Sequence, residues 1–245
     1  MLRRLTVPPL VRKAVAEFIG TALLLLAVVG SGIAAKRLSP GDTGLELLEN
    51  ALATGAALAA IITAVGSVSG AHLNPVVSIV DAAFGGLSRR ELAAYVVAQI
   101  SGAAVGVVLA NLMFSLPAVT ISTHLRSSPG LWLGEVIATF GLLLVIFGAM
   151  RSGRSAVVPF AVGAYIAGAY FFTSSTSFAN PAVTVARELT NTFAGISPAS
   201  VLPFVAAELL GCGLAWLAIV ALYPHAREHA NAIVVPHDPA SIAAP

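Results

Sequence analysis

Asn74 and Asn180 are each followed by proline, in Leu73-Asn74-Pro75-Val76-Val77-Ser78 and in Ala179-Asn180-Pro181-Ala182-Val183-Thr184. Proline suits the first turn of a helix, where its missing N–H lacks an intrahelical partner in any case. Asparagine ahead of it is a favoured cap, because its side-chain carbonyl accepts from a freed helix N–H. The amide NH2 is left to donate elsewhere. Each pair therefore reads as a helix start whose positive dipole end carries an amide donor. Two such ends facing one narrow space would repel cations and orient a solute oxygen. They would also interrupt proton passage along a file of waters. One Asn-Pro alone fits an ordinary turn; the position of the two copies in the chain is what makes them informative.

Those two starts need elements to hold them. The chain is 58% hydrophobic and only 10% charged, against about 25% charged in a soluble domain. Six long apolar segments stand out, at 14–35, 51–68, 92–116, 131–150, 156–174 and 201–223. Each is near the ~20 residues that cross a bilayer as a helix. The two segments opened by Asn-Pro, 75–84 and 181–189, are about half that and cannot span. The first apolar segment follows Arg3, Arg4, Arg12 and Lys13 and so resembles a signal peptide. Its length, the internal Glu17 and the spans that follow favour a retained membrane helix. Cys212 is the single cysteine, so no disulfide framework is possible.

The segments repeat. Glu17-Phe18-Ile19-Gly20-Thr21 is matched by Glu135-Val136-Ile137-Ala138-Thr139. The Asn-Pro motifs follow, then Ala98-Gln99-Ile100-Ser101-Gly102 against Ala207-Glu208-Leu209-Leu210-Gly211. Two halves of three spans, about 14–116 and 131–223, must be oppositely oriented, which is an inverted repeat. The first half is expected to carry a longer opening loop, 36–49 against 151–155. An even number of spans puts both ends on one face. With that face cytoplasmic, nine Lys and Arg lie inside (Arg3, Arg4, Arg12, Lys13, Arg89, Arg90, Arg151, Arg154, Arg227) and four outside (Lys36, Arg37, Arg126, Arg187). This bias fits the positive-inside rule. The expected organisation is a segment 1–13, a channel domain 14–223 and a tail 224–245, the first and last cytoplasmic.

The stretch Ser69-Gly70-Ala71-His72-Leu73-Asn74-Pro75-Val76, together with Phe178-Ala179-Asn180-Pro181-Ala182 and the Glu17 and Glu135 openings, resembles the aquaporin (major intrinsic protein) family over about residues 14–223. Val76 departs mildly from the usual alanine. The resemblance implies an all-α membrane fold of six spans and two half-helices. It also implies a homotetramer with one pore per subunit, passing water, glycerol or other neutral solutes passively. No cofactor, metal or nucleic acid is expected, and no enzymatic activity. Counting the family's filter offsets from the two motifs gives Thr54, Gly168, Ser177 and Val183, where Val183 replaces the usual arginine. A wide, uncharged filter is the expectation, since an arginine would bring five donors and a fixed charge. That pattern resembles a bacterial branch associated with arsenic resistance, which implies arsenite or related metalloid hydroxides as solute. A general glycerol or water channel is the alternative, in the inner membrane in either case.

Further residues carry two readings each. Arg187 lies one turn beyond Val183, on the same helix face. Its counterpart, seven residues after Asn74 as Arg187 is after Asn180, is Asp81. The two either line opposite mouths of the pore or simply end the short helices. His72 either lines the half-pore on the terminal side or packs beside it. Glu17 and Glu135 are expected to accept from the irregular backbone before each motif, because buried carboxylates need partners. Gln99 and Glu208 are read the same way. His225, His229 and His237 lie in the tail, where a short His pair without further ligands is weak evidence for a metal. A secondary transporter also fits an inverted repeat, but the midplane candidates are amides and dipoles rather than ion ligands.

Overall fold

Helices begin here at residues that cap them. Asp42 accepts from the N–H of Leu45, Ser128 from that of Leu131, and Ser88 forms a reciprocal capping box with Glu91. These caps open α2 (Thr43–Ser69), α5 (Pro129–Arg151) and α4 (Arg89–Met113), after the first long helix α1 (Pro9–Leu38). The remaining long helices are α6 (Val158–Phe172), led in by a 3-10 turn at Ser155–Val157, and α8 (Pro198–Leu222). Between them sit two short ones, α3 (Pro75–Phe84) and α7 (Pro181–Ala186), the latter continued by a 3-10 turn, Arg187–Leu189. The computed structural model describes residues 7–223, all helix and loop without a strand. Arg3, Arg4, Arg227, the three tail histidines and the tail 224–245 lie outside the described residues.

Among the described residues, six helices are long and apolar enough to span a membrane. The long opening loop expected at 36–49 is not there. α1 runs to Leu38 and α2 starts at Thr43, leaving a four-residue turn. The polar residues that looked like loop are the first turns of α2. Glu46 sits near the positive helix start, where a carboxylate is favoured, and is buried against the Lys36 ammonium at 2.9 Å.

The two halves pack alike. α1 lies on α4 and α2, as α5 lies on α8 and α6, and α2 crosses α6 where the halves meet. Small residues allow this closeness. A Cβ at Gly102 would stand 2.3 Å from the Phe18 carbonyl oxygen, and one at Gly211 2.5 Å from that of Val136. Phe18 and Val136 are equivalent residues of the repeat, so the same backbone crossing is built twice. Gly55 and Gly163 do the same between α2 and α6. Without a hydrophobic drive between helices in lipid, such close packing is a main source of cohesion.

Candidate functional site: a lumen between two half-helices

After α2 and after α6 the chain turns back toward the middle of the bundle. In the first re-entrant loop Ala71 and Leu73 have left-handed backbone, with φ of 49° and 53°. In the second, Ser177 and Ala179 do, at 52° and 48°. These are three residues and one residue before each asparagine. Non-glycine residues rarely hold this conformation unless their surroundings over-determine it. Glu17 supplies that for the first loop, accepting from the N–H groups of His72 (2.9 Å) and Leu73 (2.7 Å), and from Ser69 Oγ and Gln99 Nε2. Glu135 does so for the second, accepting from Phe178 (2.9 Å) and Ala179 (2.7 Å). Glu208 accepts from the Asn180 N–H and from Thr184 Oγ1. Its counterpart Gln99 instead donates, to Glu17 and to Ser78 Oγ.

The loops deliver α3 and α7 N-terminus to N-terminus. Asn74 Oδ1 accepts from the Val76 N–H at 3.1 Å, and Asn180 Oδ1 from Ala182 and Val183 at 3.0 and 3.4 Å. The amide nitrogens cross over. Asn74 Nδ2 donates to the Ala179 carbonyl and Asn180 Nδ2 to the Leu73 carbonyl, both at 2.8 Å. Each asparagine thereby ties its helix start to the residue preceding the other asparagine. An amide NH2 has two hydrogens, so one remains on each for the cavity that both side chains line.

That cavity measures about 60 Å³. That exceeds the roughly 15 Å³ that a single water needs. Its long walls are apolar, with Leu24, Val28, Ile62, Leu142 and Ile146 among them. Thr54, Ser177 and Val183 line it, as do His72 and Arg187. Ser177 Oγ is buried without a hydrogen-bond partner among the described residues, so its hydroxyl is available to a solute.

The sequence-derived filter needs correction at Gly168. That glycine is exposed on the outside of α6 and does not line the cavity. The lining positions of α6 are Val158, Val162, Ile166 and Tyr170, four residues apart and so on one helical face. Gly168 falls two residues from both Ile166 and Tyr170, on the other face. Counting back twelve residues from Asn180 assumes a fixed length for the connection after α6, which here runs from residue 173 to 180. Tyr170 is the residue that the count missed. The apolar four-residue spacing that ends on it was the available signal. The lumen is therefore not free of aromatics, nor of positive charge. Arg187 is only 3% exposed, donates from Nε to the Ala194 carbonyl, and sits 3.5 Å above the Phe178 ring.

Asp81 is fully buried and outside the lining; its carboxylate stands 3.6 Å from His72 Nε2. His72 itself lines the cavity and pairs through Nδ1 with Ser78 Oγ at 3.0 Å. Arg187 and Asp81 are thus not equivalent lining residues at two mouths. The described residues contain no cluster of three or more His, Cys, Asp or Glu that would hold a metal.

The sequence profile of the Major intrinsic protein family matches residues 4–177. Aquaglyceroporin AqpS of Rhizobium meliloti is 53% identical over 213 residues, 85% of this chain and 91% of that protein. The lens fiber major intrinsic protein of Ovis aries is 36% identical over 62% of this chain and 59% of its own length. The fold is shared with the X-ray structure of the aquaglyceroporin from Plasmodium falciparum, at TM-score 0.67 and 22% identity, covering 87% of this chain and 95% of that one. The chain belongs to the major intrinsic protein family and is a multi-pass membrane channel for small solutes, not an enzyme.

Proposed function

We propose that the channel passes small, neutral, hydroxylated solutes larger than water, with undissociated arsenite and related metalloid hydroxides as its favoured cargo. One observation carries this reading: the unpartnered Ser177 hydroxyl lines a lumen with long apolar walls, and the Thr54 and Tyr170 hydroxyls line it too. A solute with several hydroxyls would exchange hydration for these contacts while its carbon or metalloid centre slides on apolar surface. Val183, in place of an arginine, leaves room beside Ser177. The choice of arsenite over glycerol rests on the resemblance of the second motif to the arsenic-associated branch. A general glycerol or water channel is the second reading, in keeping with the aquaglyceroporin names of the relatives.

In this reading Asn74 and Asn180, with Pro75, Val76, Pro181 and Ala182, form the central constriction and exclude cations. Thr54, Ser177, Val183 and Tyr170 set solute size. The channel domain spans residues 14–223, sits in the inner membrane with both ends cytoplasmic, and assembles as a homotetramer. The test is a panel of water, glycerol, arsenite and methylated arsenicals on purified protein in vesicles. Arsenite and glycerol entry well above protein-free vesicles, linear in concentration, is expected. Entry of water alone defeats the solute range. Flux that saturates or follows an ion gradient would instead indicate a coupled transporter.

A further inference from the structure

A second cavity, of about 170 Å³, opens beyond Arg187 on the face opposite the chain ends, which the proposed orientation puts outside the cell. Its walls are Thr43, Leu47 and Asn50 of α2, with Arg126, Thr176, Arg187 and Phe193. Arg187 lines both this vestibule and the lumen, and so stands at the boundary between them. The two guanidinium groups share one anchor, the Phe178 ring, with Arg187 at 3.5 Å and Arg126 at 5.2 Å from its centroid.

Both arginines are held, and both keep donors unused. Arg126 donates from Nε to the Gly195 carbonyl and from Nη2 to that of Phe193. Arg187 uses only Nε, leaving both terminal nitrogens without a protein acceptor among the described residues. Neither makes an ion pair there, whereas the nearby Lys36 is matched by Glu46. The carboxylates of Glu135 and Glu208, behind the loop, are engaged by backbone N–H groups and Thr184. Two fixed, largely desolvated guanidiniums lining one hollow favour a ligand with several charged oxygens.

We infer that this vestibule is a binding site for a small tetrahedral oxyanion of the phosphate and sulfate class. An anion seated on Arg187 covers the entrance to the lumen. Bound oxyanion therefore slows solute entry from that face, adding a brake to the neutral-solute conduction below it.

Phosphate binding to the purified full-length channel, followed by 31P line broadening, tests the site without any permeating solute. A failure here is therefore distinguishable from a failure of the proposed cargo. Saturable broadening that sulfate competes away and chloride at equal ionic strength does not is the expected result. Arg126→Gln removes one guanidinium and should weaken phosphate by about tenfold, the scale of one hydrogen bond to a charged group. Arg126→Lys keeps the charge and should lie between. Because Arg126 also braces its loop, Thr176→Glu provides an independent variant. It leaves the Arg126 bonds intact, places a carboxylate in the hollow and should abolish binding. In oriented vesicles, phosphate on the vestibule side alone should slow glycerol entry. Broadening that is equal in wild type and Thr176→Glu, or slowing that is equal from both sides, overturns the inference.

Discussion

The Tyr170 phenol donates to Thr54 Oγ1 at 3.3 Å, joining α6 to α2 in the wall of the lumen. Thr54 is a filter position by the sequence count, and its hydroxyl accepts from an aromatic that lines the same wall. The bond holds both side chains where they line the lumen. Tyr170→Phe removes it and frees the Thr54 hydroxyl for solute. A neutral hydrogen bond is worth about 1 kcal/mol, so glycerol flux should change by roughly fivefold at most. Tyr170→Ala removes the ring and should admit longer polyols that the wild type rejects. Light-scattering rates for a polyol series in vesicles measure both. An unchanged size cut-off in Tyr170→Ala would take Tyr170 out of the filter.

Val183 adds an independent check on the same constriction. It is buried in the lumen wall, one turn from Arg187. Val183→Arg inserts a long cation beside an existing one and fills the space facing Ser177. Glycerol or arsenite flux should fall by much more than water flux. Equal loss of both, measured in the same vesicles, would show that Val183 does not select by size.

The spans, the inverted repeat, the helix-capping asparagines and the buried carboxylates were legible in the sequence, because each follows from local chemistry or from a repeated pattern. The acceptor roles of Glu17 and Glu135 needed only the knowledge that a buried carboxylate must have donors, and that an irregular loop supplies them. Gly168 was misplaced because an offset in residues was used where a helical face decides. One residue of α6 rotates a side chain by about 100°, so a small change in the following connection moves another residue inward. Asp81 and Arg187 looked equivalent by counting, yet their surroundings differ. Asp81, in α3, meets His72 of the loop that precedes it, while Arg187 reaches past α7 to the Phe178 ring. Sequence symmetry predicts backbone placement better than it predicts where long side chains settle.

Gly168 itself supplies the next prediction. A Cβ there would meet nothing closer than the Phe172 ring at 3.7 Å, and the position is exposed. Gly168→Ala should leave the ratio of glycerol to water flux unchanged and should not lower the melting temperature in detergent. A shifted flux ratio would return this residue to the lumen.

The carboxylate of Glu17 is a stability element, and its removal should act on folding rather than on selectivity. Glu17→Ala removes the acceptor of the buried N–H groups of His72 and Leu73 and of Ser69 Oγ, and leaves Gln99 Nε2 only its bond to Ser78. Two orphaned buried donors cost about 2–6 kcal/mol, on a scale where whole domains have about 5–15 kcal/mol. The left-handed backbone at Ala71 and Leu73 also loses what holds it. Glu17→Ala should therefore give little monodisperse protein on size exclusion. Glu17→Gln retains one acceptor oxygen and should be recovered with a lowered melting temperature. A Glu17→Ala protein as stable as wild type would mean that the loop is held by other contacts.

The backbone crossings make the sharpest steric forecast. At Gly106 a Cβ would stand 2.2 Å from the Ala22 carbonyl oxygen, and at Gly102 2.3 Å from that of Phe18. Both neighbours are backbone, so no side chain can swing aside, and α1 must separate from α4. Separation opens a gap along the helix pair on which the Glu17 network rests. Gly106→Ala should thus reduce folded yield far more than a surface alanine does, and Gly106→Leu should abolish it. Gly211, the equivalent of Gly102, faces the Val136 carbonyl at 2.5 Å and should behave in the same way on the α5–α8 side. Fluorescence-detected size exclusion of the variants orders them directly. If Gly106→Ala and Gly211→Ala both elute as wild type, then close backbone contact does not hold these helix pairs together.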